Sequence, residues 1–249
     1  MRYDRMLPHH IRSAIADDLP VVLPVGVQEY HGEHMGLGMD TFAVTGCLER
    51  LSAERDLVIL PPFHYGAATH AVAPPEGTGT VHVDAAALAP VAEAIFLGLL
   101  RVGFRNIHGL VHHQSENFGQ GMPTDLAFRM GARQAVFRFL GQTRGEGWWG
   151  RDETRDYYAA REAGRDPISW VRIHPLMGEE VTAHYPFDHA GRGETSLMLA
   201  LCPDIVEMPR TGENEGWFTE TAAQASVTLG EDGVARVLTR LRRLLFGDA

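Results

Sequence analysis

The stretch VVLPVGVQEYHGEHMGLGMDT, Val21 to Thr41, decides how the rest of the chain is read. It opens on an apolar run, Val21–Val27, that predicts a short strand buried in a parallel sheet. The run ends at Gln28-Glu29-Tyr30-His31-Gly32-Glu33-His34. Helical spacing takes over at Asp40 or Thr41 and continues to Glu54. Outward from this stretch, Leu57–Leu60 predicts a second strand. Residues 61–83, with prolines, glycines and the histidines His64, His70 and His82, predict a long loop. A loop of that length in a compact domain is usually functional. Asp84 starts an Ala- and Leu-rich helix to about Val102, and Asn106–Val111 predicts a third strand. His112–Gly121 is polar, and Pro123 opens a helix to about Leu140. Glu194–Leu201 and Val234–Phe246 are further helices, the latter started near Gly233. The alternation of strand and helix predicts an α/β fold: a three-layer sandwich with a mostly parallel sheet. One domain, 1–249, accounts for the chain. About 141–175, crowded with charge and with Trp148, Trp149, Tyr157, Tyr158 and Trp170, reads as an inserted lid or an oligomer contact.

Composition excludes whole classes of function. All 22 cationic side chains are arginine, so neither a P-loop lysine nor a Schiff-base lysine is available. A net charge of −10 argues against nucleic acid or an anionic membrane as the main partner. Two cysteines, Cys47 and Cys202, cannot build a disulfide framework or a Cys-rich zinc site. No signal-peptide pattern and no run approaching the ~20 apolar residues of a membrane span is expected, which reads as a cytoplasmic protein.

Three polar clusters fall beside predicted element ends, where open parallel sheets place their ligands. The first holds Glu29, His31 and His34, followed by Asp40. The second is His112-His113-Gln114-Ser115-Glu116-Asn117. The third is Asp188-His189-Ala190-Gly191 with Glu194-Thr195-Ser196 behind it. Imidazole mixed with carboxylate suits Zn²⁺, Mn²⁺ or Fe²⁺. Glu29 and His31, two apart, point to one side of an extended segment. A carboxylate at the predicted helix start, Asp40, is placed to bridge two cations. Paired ions polarise a carbonyl and supply hydroxide at neutral pH.

These residues carry a resemblance. PVGVQEYHGEHMGLGMDT (Pro24–Thr41) resembles the opening signature of the creatininase (creatinine amidohydrolase) family, P-x-G-[ST]-x-E-Q-H-G-P-H-L-P-L-x-T-D. DHAGRGETSLMLALCPDIV (Asp188–Val206) resembles its later H-A-G-x-x-E-T-S block, and Gly77-Thr78-Gly79-Thr80 falls where the family has P-G-T. The resemblance implies a creatininase-like sandwich, often a hexamer, and a site for two divalent metal ions. It implies Glu29, His31 and Asp40 as the first three ligands, with Asp40 as the bridge. The middle block departs from the family's N-G-H-G-G-N or N-G-H-Y-E-N. Glu116 there matches a ligand position, and the family histidine falls on Gln114, with His113 as the alternative. An amide oxygen is a poorer ligand than imidazole for Zn²⁺ and suits Mn²⁺ better.

Glu194 is expected either as a ligand or as a cap of its own helix. His189, matching the histidine of H-A-G, is expected as the proton shuttle, oriented by Asp188 or Glu194. Asp188 and Glu116 join it in the expected catalytic set, while His34, Tyr30, His113 and Trp148 are expected to face substrate. The function implied is a metal-dependent hydrolase acting on a carbonyl of a small cyclic substrate. That substrate is either a cyclic amide or a cyclic diketone such as a dehydro-inosose. The competing reading is a catalytically silent, metal-binding relative that serves as a ligand sensor or assembly subunit.

Overall fold

The computed structural model describes residues 1–69 and 76–247. In chain order its elements are α1 (Pro8–Ala16), β1 (Val21–Val25), α2 (Met39–Ser52), β2 (Val58–Ile59), α3 (Ala85–Val102) and β3 (Ile107–Val111). There follow α4 (Pro123–Arg144), α5 (Tyr157–Glu162), β4 (Val171–Pro175), α6 (Glu179–Thr182), α7 (Arg192–Leu201) and α8 (Val227–Phe246). The sheet order is β2-β1-β3-β4, with every pairing parallel: Val21 registers with Val58 on one side and Ile107 on the other, and Ile107 with Val171. All residues of β1 and β3 are buried, as strands covered on both faces must be.

Alternation along the strands divides the core. Val21, Leu23 and Val25 pack with Phe96 of α3 and Phe128 and Val136 of α4. Val22 and Leu110 point the other way, to Leu48 of α2, Leu197 of α7 and Leu241 of α8. The result is helix, sheet, helix: the expected three-layer sandwich.

Three boundaries differ from the sequence reading. β4 lies at the end of the stretch read as an insertion. Its five residues, VRIHP, are too short and too polar to announce a strand, and pairing with β3 supplies what the side chains do not. α8 begins at Val227, seven residues before the expected start, capped by the Ser226 hydroxyl, which accepts from the Leu229 N–H at 3.2 Å. Gly230 inside it marks a close crossing rather than a break. A Cβ there would lie 1.9 Å from the Ser196 carbonyl oxygen of α7. α2 begins at Met39 after Gly38, which places Asp40 within its first turn. By length and composition alone, α3 is long and apolar enough to cross a membrane. It lies against α4, with Leu88, Ala92, Phe96 and Leu100 buried.

Two histidines inside the sheet make folding pH-sensitive. The His108 Nε2–H donates to Asn106 Oδ1 at 2.8 Å, and its Nδ1 accepts from His174 Nε2 at 3.1 Å. Burial first, and then the His174 and Arg172 charges, push His108 well below its usual value. Burial, then Arg240 and Arg172, pushes His174 down to about 3. The unfolded chain therefore binds more protons below pH ~6.5, and stability falls as pH falls. Between pH 7 and 5 the unfolding free energy should drop, by about 2 kcal/mol through His174 alone, with His108 acting in the same direction. Denaturant titrations at the two pH values check this. His174→Gln, which keeps a donor to His108, should make the drop smaller by about 2 kcal/mol; a variant as pH-sensitive as the parent would remove His174 from the account.

Candidate metal centre

β1 is followed by α2 on one face of the sheet, and its neighbour β3 by α4 on the other. Such a reversal opens a crevice at the carboxyl ends of the two strands. Gly26 lets the chain close there: a Cβ on it would lie 2.3 Å from Thr41 Oγ1 and 2.5 Å from the Thr41 nitrogen. The first turn of α2 thus sits directly on the end of β1, and buried Asp40 faces Glu29 and His31 from the β1 loop and His113 from the end of β3.

Three three-residue sets converge here, and two of them share one carboxylate: Glu29, Asp40 and His113 form one, and His31, Asp40 and Glu194 the other, while Glu29, His31 and His189 make up the third. His113 Nδ1 lies 3.2 Å from Glu29 Oε2 and 3.7 Å from Asp40 Oδ2. His31 Nε2 lies 3.9 Å from Asp40 Oδ2 and 3.6 Å from Glu194 Oε2. Each imidazole is oriented from behind by a backbone carbonyl. His31 Nδ1 bonds the Glu29 carbonyl at 2.9 Å, and His113 Nε2 bonds that of Ala67 at 3.1 Å. The nitrogen left to face a metal is therefore the inward one of each ring, the arrangement metal-binding histidines adopt. Glu29 Oε2, His31 Nε2 and Asp40 Oδ2 are buried with no hydrogen-bond partner.

The electrostatics point the same way. Burial pushes Asp40 and Glu194 up, each to about 7. Burial, then the His189 charge, takes His31 down to about 3. Burial opposes charge on both Glu29 and His113, yet their contact prevails, holding the carboxyl low and the imidazole high. No arginine lines the cavity among the described residues. Three buried carboxylates thus meet here with no arginine among them, and only Glu29 has a charged imidazole against it. Unpaired nitrogen and oxygen atoms in two sets that share a carboxylate fit two divalent ions.

The structure moves several expected residues. Gln114 does not join either set: its Nε2 donates to the Met177 carbonyl at 2.7 Å and its Oε1 accepts from the Met177 N–H at 3.0 Å. Its amide oxygen is spent on the backbone after β4, and His113 lies beside the carboxylates instead. Glu116 is exposed three residues further along, at the cavity wall and outside both sets. Asp188 accepts from the Gly193 and Glu194 N–H groups at 2.7 and 3.1 Å, so it caps α7 rather than orienting His189. That orientation comes from Tyr30, whose carbonyl accepts from His189 Nε2 at 3.0 Å. The Tyr30 hydroxyl itself turns away to Glu33, at 2.9 Å. His34 has both nitrogens engaged, by Thr195 at 2.9 Å and Asn214 at 3.0 Å, and does not line the cavity. Trp148 packs beyond the end of α4, with Arg144 5.1 Å above its ring, outside the cavity lining. His64 and His82 are also outside that lining, and His70 lies outside the described residues.

Residues to which the sequence reading gave no role complete the site. The Thr69 N–H donates to Glu29 Oε1. His112 Nε2 lies 3.2 Å from Glu194 Oε1, and the Ala190 N–H donates to Glu194 Oε2 at 2.7 Å. Phe187, Trp217 and Phe218 form an aromatic wall to a cavity of about 410 Å³. Aromatic pairs carry no spacing signal, and only the fold brings 187 and 217–218 to one place.

A parallel α/β sandwich that gathers histidines and acids at its strand ends around a shared aspartate has the build of a metal-dependent hydrolase. The chain belongs to the creatininase family of hydrolases, whose model, described as creatinine amidohydrolase, matches residues 5–243. It is 27% identical over 197 residues to the creatinine amidohydrolase of Pseudomonas putida, covering 78% of this chain and 69% of that one. It is 26% identical over 205 residues to the 3-dehydro-scyllo-inosose hydrolase of Thermotoga maritima, covering 82% of this chain and 57% of that one. Solved creatininases, one a Mn form and one of Zn-Zn type, share its fold at TM-scores of 0.70 and 0.69. They are 19% and 20% identical, each over 98% of both chains.

Elemental analysis should find about two divalent ions per chain, both lost in Asp40→Ala and both retained in Gln114→Ala. His112→Leu, which removes the partner of Glu194 Oε1, should weaken one ion about 10- to 100-fold and leave the other. Equal weakening of both would assign His112 a merely structural part.

Proposed function

We propose that this chain is a two-metal hydrolase that opens a planar cyclic amide at its carbonyl. The observation that carries the reading is Asp40 Oδ2, buried, unpartnered and common to both ligand sets. Glu29 and His113 would hold one ion, and His31 and Glu194 the other. Ions so held polarise a carbonyl and lower the pKa of water. The protein's own residues do the rest. The aromatic wall of Phe187, Trp217 and Phe218 covers a flat ring and keeps water from it.

His189 is the proton carrier in this reading. With Nε2–H fixed on the Tyr30 carbonyl, its lone pair is on Nδ1, ready to take a proton and pass it to the departing nitrogen. The ring is clasped between His31, 4.3 Å away centroid to centroid, and Phe218 at 5.4 Å. The Thermotoga relative named for inosose hydrolysis supports a cyclic ketone as the second substrate class. The three aromatic side chains favour the flat amide.

Metal-loaded protein tested against lactams, cyclic ureas, creatinine and cyclic diketones should turn over a cyclic amide. His189→Ala should lower kcat about 10²- to 10⁴-fold while keeping its metal. Binding without turnover across the panel would sink the hydrolase reading and favour a silent ligand-binding relative. Turnover confined to diketones would reassign the substrate alone.

A further inference from the structure

At the other end of β3 from the metal centre lies a second cavity, of about 450 Å³, that the hydrolytic reading does not use. Asn106 lines it and His112 lines the first, and the strand between them separates the two by about 20 Å. Four arginines contribute to its wall: Arg105, Arg165, Arg172 and Arg243. Several arginines elsewhere are paired with acids, among them Arg50 with Glu231 at 2.5 Å, Arg138 with Glu93 at 2.8 Å and Arg242 with Glu54 at 2.6 Å. The four in this cavity have no carboxylate within 4.0 Å among the described residues, although the chain as a whole is acidic, with a net charge of −10. Asp18 is the one acid among the lining residues.

Two of these side chains are also held in place without an acid. Arg105 Nη1 donates to the carbonyls of Leu100 and Phe104 at 2.9 and 2.7 Å, and its guanidinium lies 4.7 Å from the rings of both Phe139 and Trp170. Arg172 Nε donates to the Ser169 carbonyl at 2.8 Å. Burial, then the charge of Arg144, pushes Arg105 down, the mark of a cation without a counter-charge. Each guanidinium has five N–H donors, so these contacts leave free donors on both heads. Guanidinium groups gathered around one hollow, two of them held in place and none with a carboxylate within 4.0 Å among the described residues, are the geometry that oxyanions select, because the fork matches two oxygens at once.

We propose that this cavity binds a small, multiply charged oxyanion of the phosphate class, free or esterified. The site is independent of the metal centre and of the reaction proposed there. Pyrophosphate at low ionic strength is the probe, titrated calorimetrically into the parent chain and into Asp40→Ala, which lacks the shared metal ligand. Both should bind it alike. Arg172→Gln should weaken binding about tenfold or more, and so should the exposed pair change Arg165→Gln/Arg243→Gln. The pair change provides a test should Arg172→Gln fail to fold. A phosphate monoester that competes with pyrophosphate marks an esterified ligand, and inorganic phosphate competing equally marks a free one. Binding lost in Asp40→Ala but kept in the arginine variants would put the anion on the metals and overturn the proposal. Absence of saturable binding, or an equal effect from sodium chloride at matched ionic strength, would overturn it too.

Discussion

Asp40 Oδ2 is a carboxylate oxygen held out of water, with one imidazole nitrogen 3.9 Å away and another at 3.7 Å, and nothing that hydrogen-bonds to it. A buried carboxylate in that state is costly, and its pKa, raised to about 7, reflects the cost. Much of the surrounding fold keeps it there. β1 and β3 are neighbours in the sheet, so the loops after them open into one crevice. Gly26 lets α2 begin hard against the strand end. α7, packed on α8 through Gly230, delivers Glu194 from a third direction. The strain is concentrated at a few atoms, while the two apolar clusters on either side of the sheet supply the stability that tolerates it.

The centre is built mainly from backbone. Carbonyls of residues 29 and 67 set the two histidine tautomers, the Tyr30 carbonyl sets His189, and amides of residues 69 and 190 set the two outer carboxylates. Side chain to side chain bonds are few, with His112 to Glu194 the main one. Because these carbonyls and amides belong to the segments that follow strands or lead into α7, the geometry of the donors follows from the course of the chain. Substitution at the non-ligand side chains of those loops, Tyr30 for instance, can therefore reshape the cavity without moving the donors.

Much of this was legible in the amino-acid sequence. The apolar runs at 21–27 and 106–111 announced two buried parallel strands, and Glu29, His31 and Asp40 were singled out by their place after a strand and at a helix start. What was not legible depends on partners distant in sequence. Gln114 was placed near metal because its position matched a family histidine, whereas its amide is claimed by the backbone at Met177, 63 residues away. Asp188 read as an orienting acid because it adjoins His189, yet helix amides that only the fold brings round occupy both its oxygens. β4 was hidden among charged and aromatic residues because an edge strand of a parallel sheet needs less apolar content than a central one. Trp217 and Phe218 reach the cavity through a run of short turns that no periodicity announces.

The orientation of His31 and His113 by carbonyls behind them has a kinetic meaning. His31 already presents a lone pair inward and His113 has only to give up its inward proton, so a metal ion arriving from solution finds donor rings that need no reorientation. Loading is then governed by how fast the ion sheds its water shell and displaces the proton shared by His113 and Glu29, and not by a search among loop conformations. Ions that exchange water quickly enter first, whatever the final order of affinity. The metal found in freshly made protein thus reports which ion was at hand during folding as much as which one the site prefers.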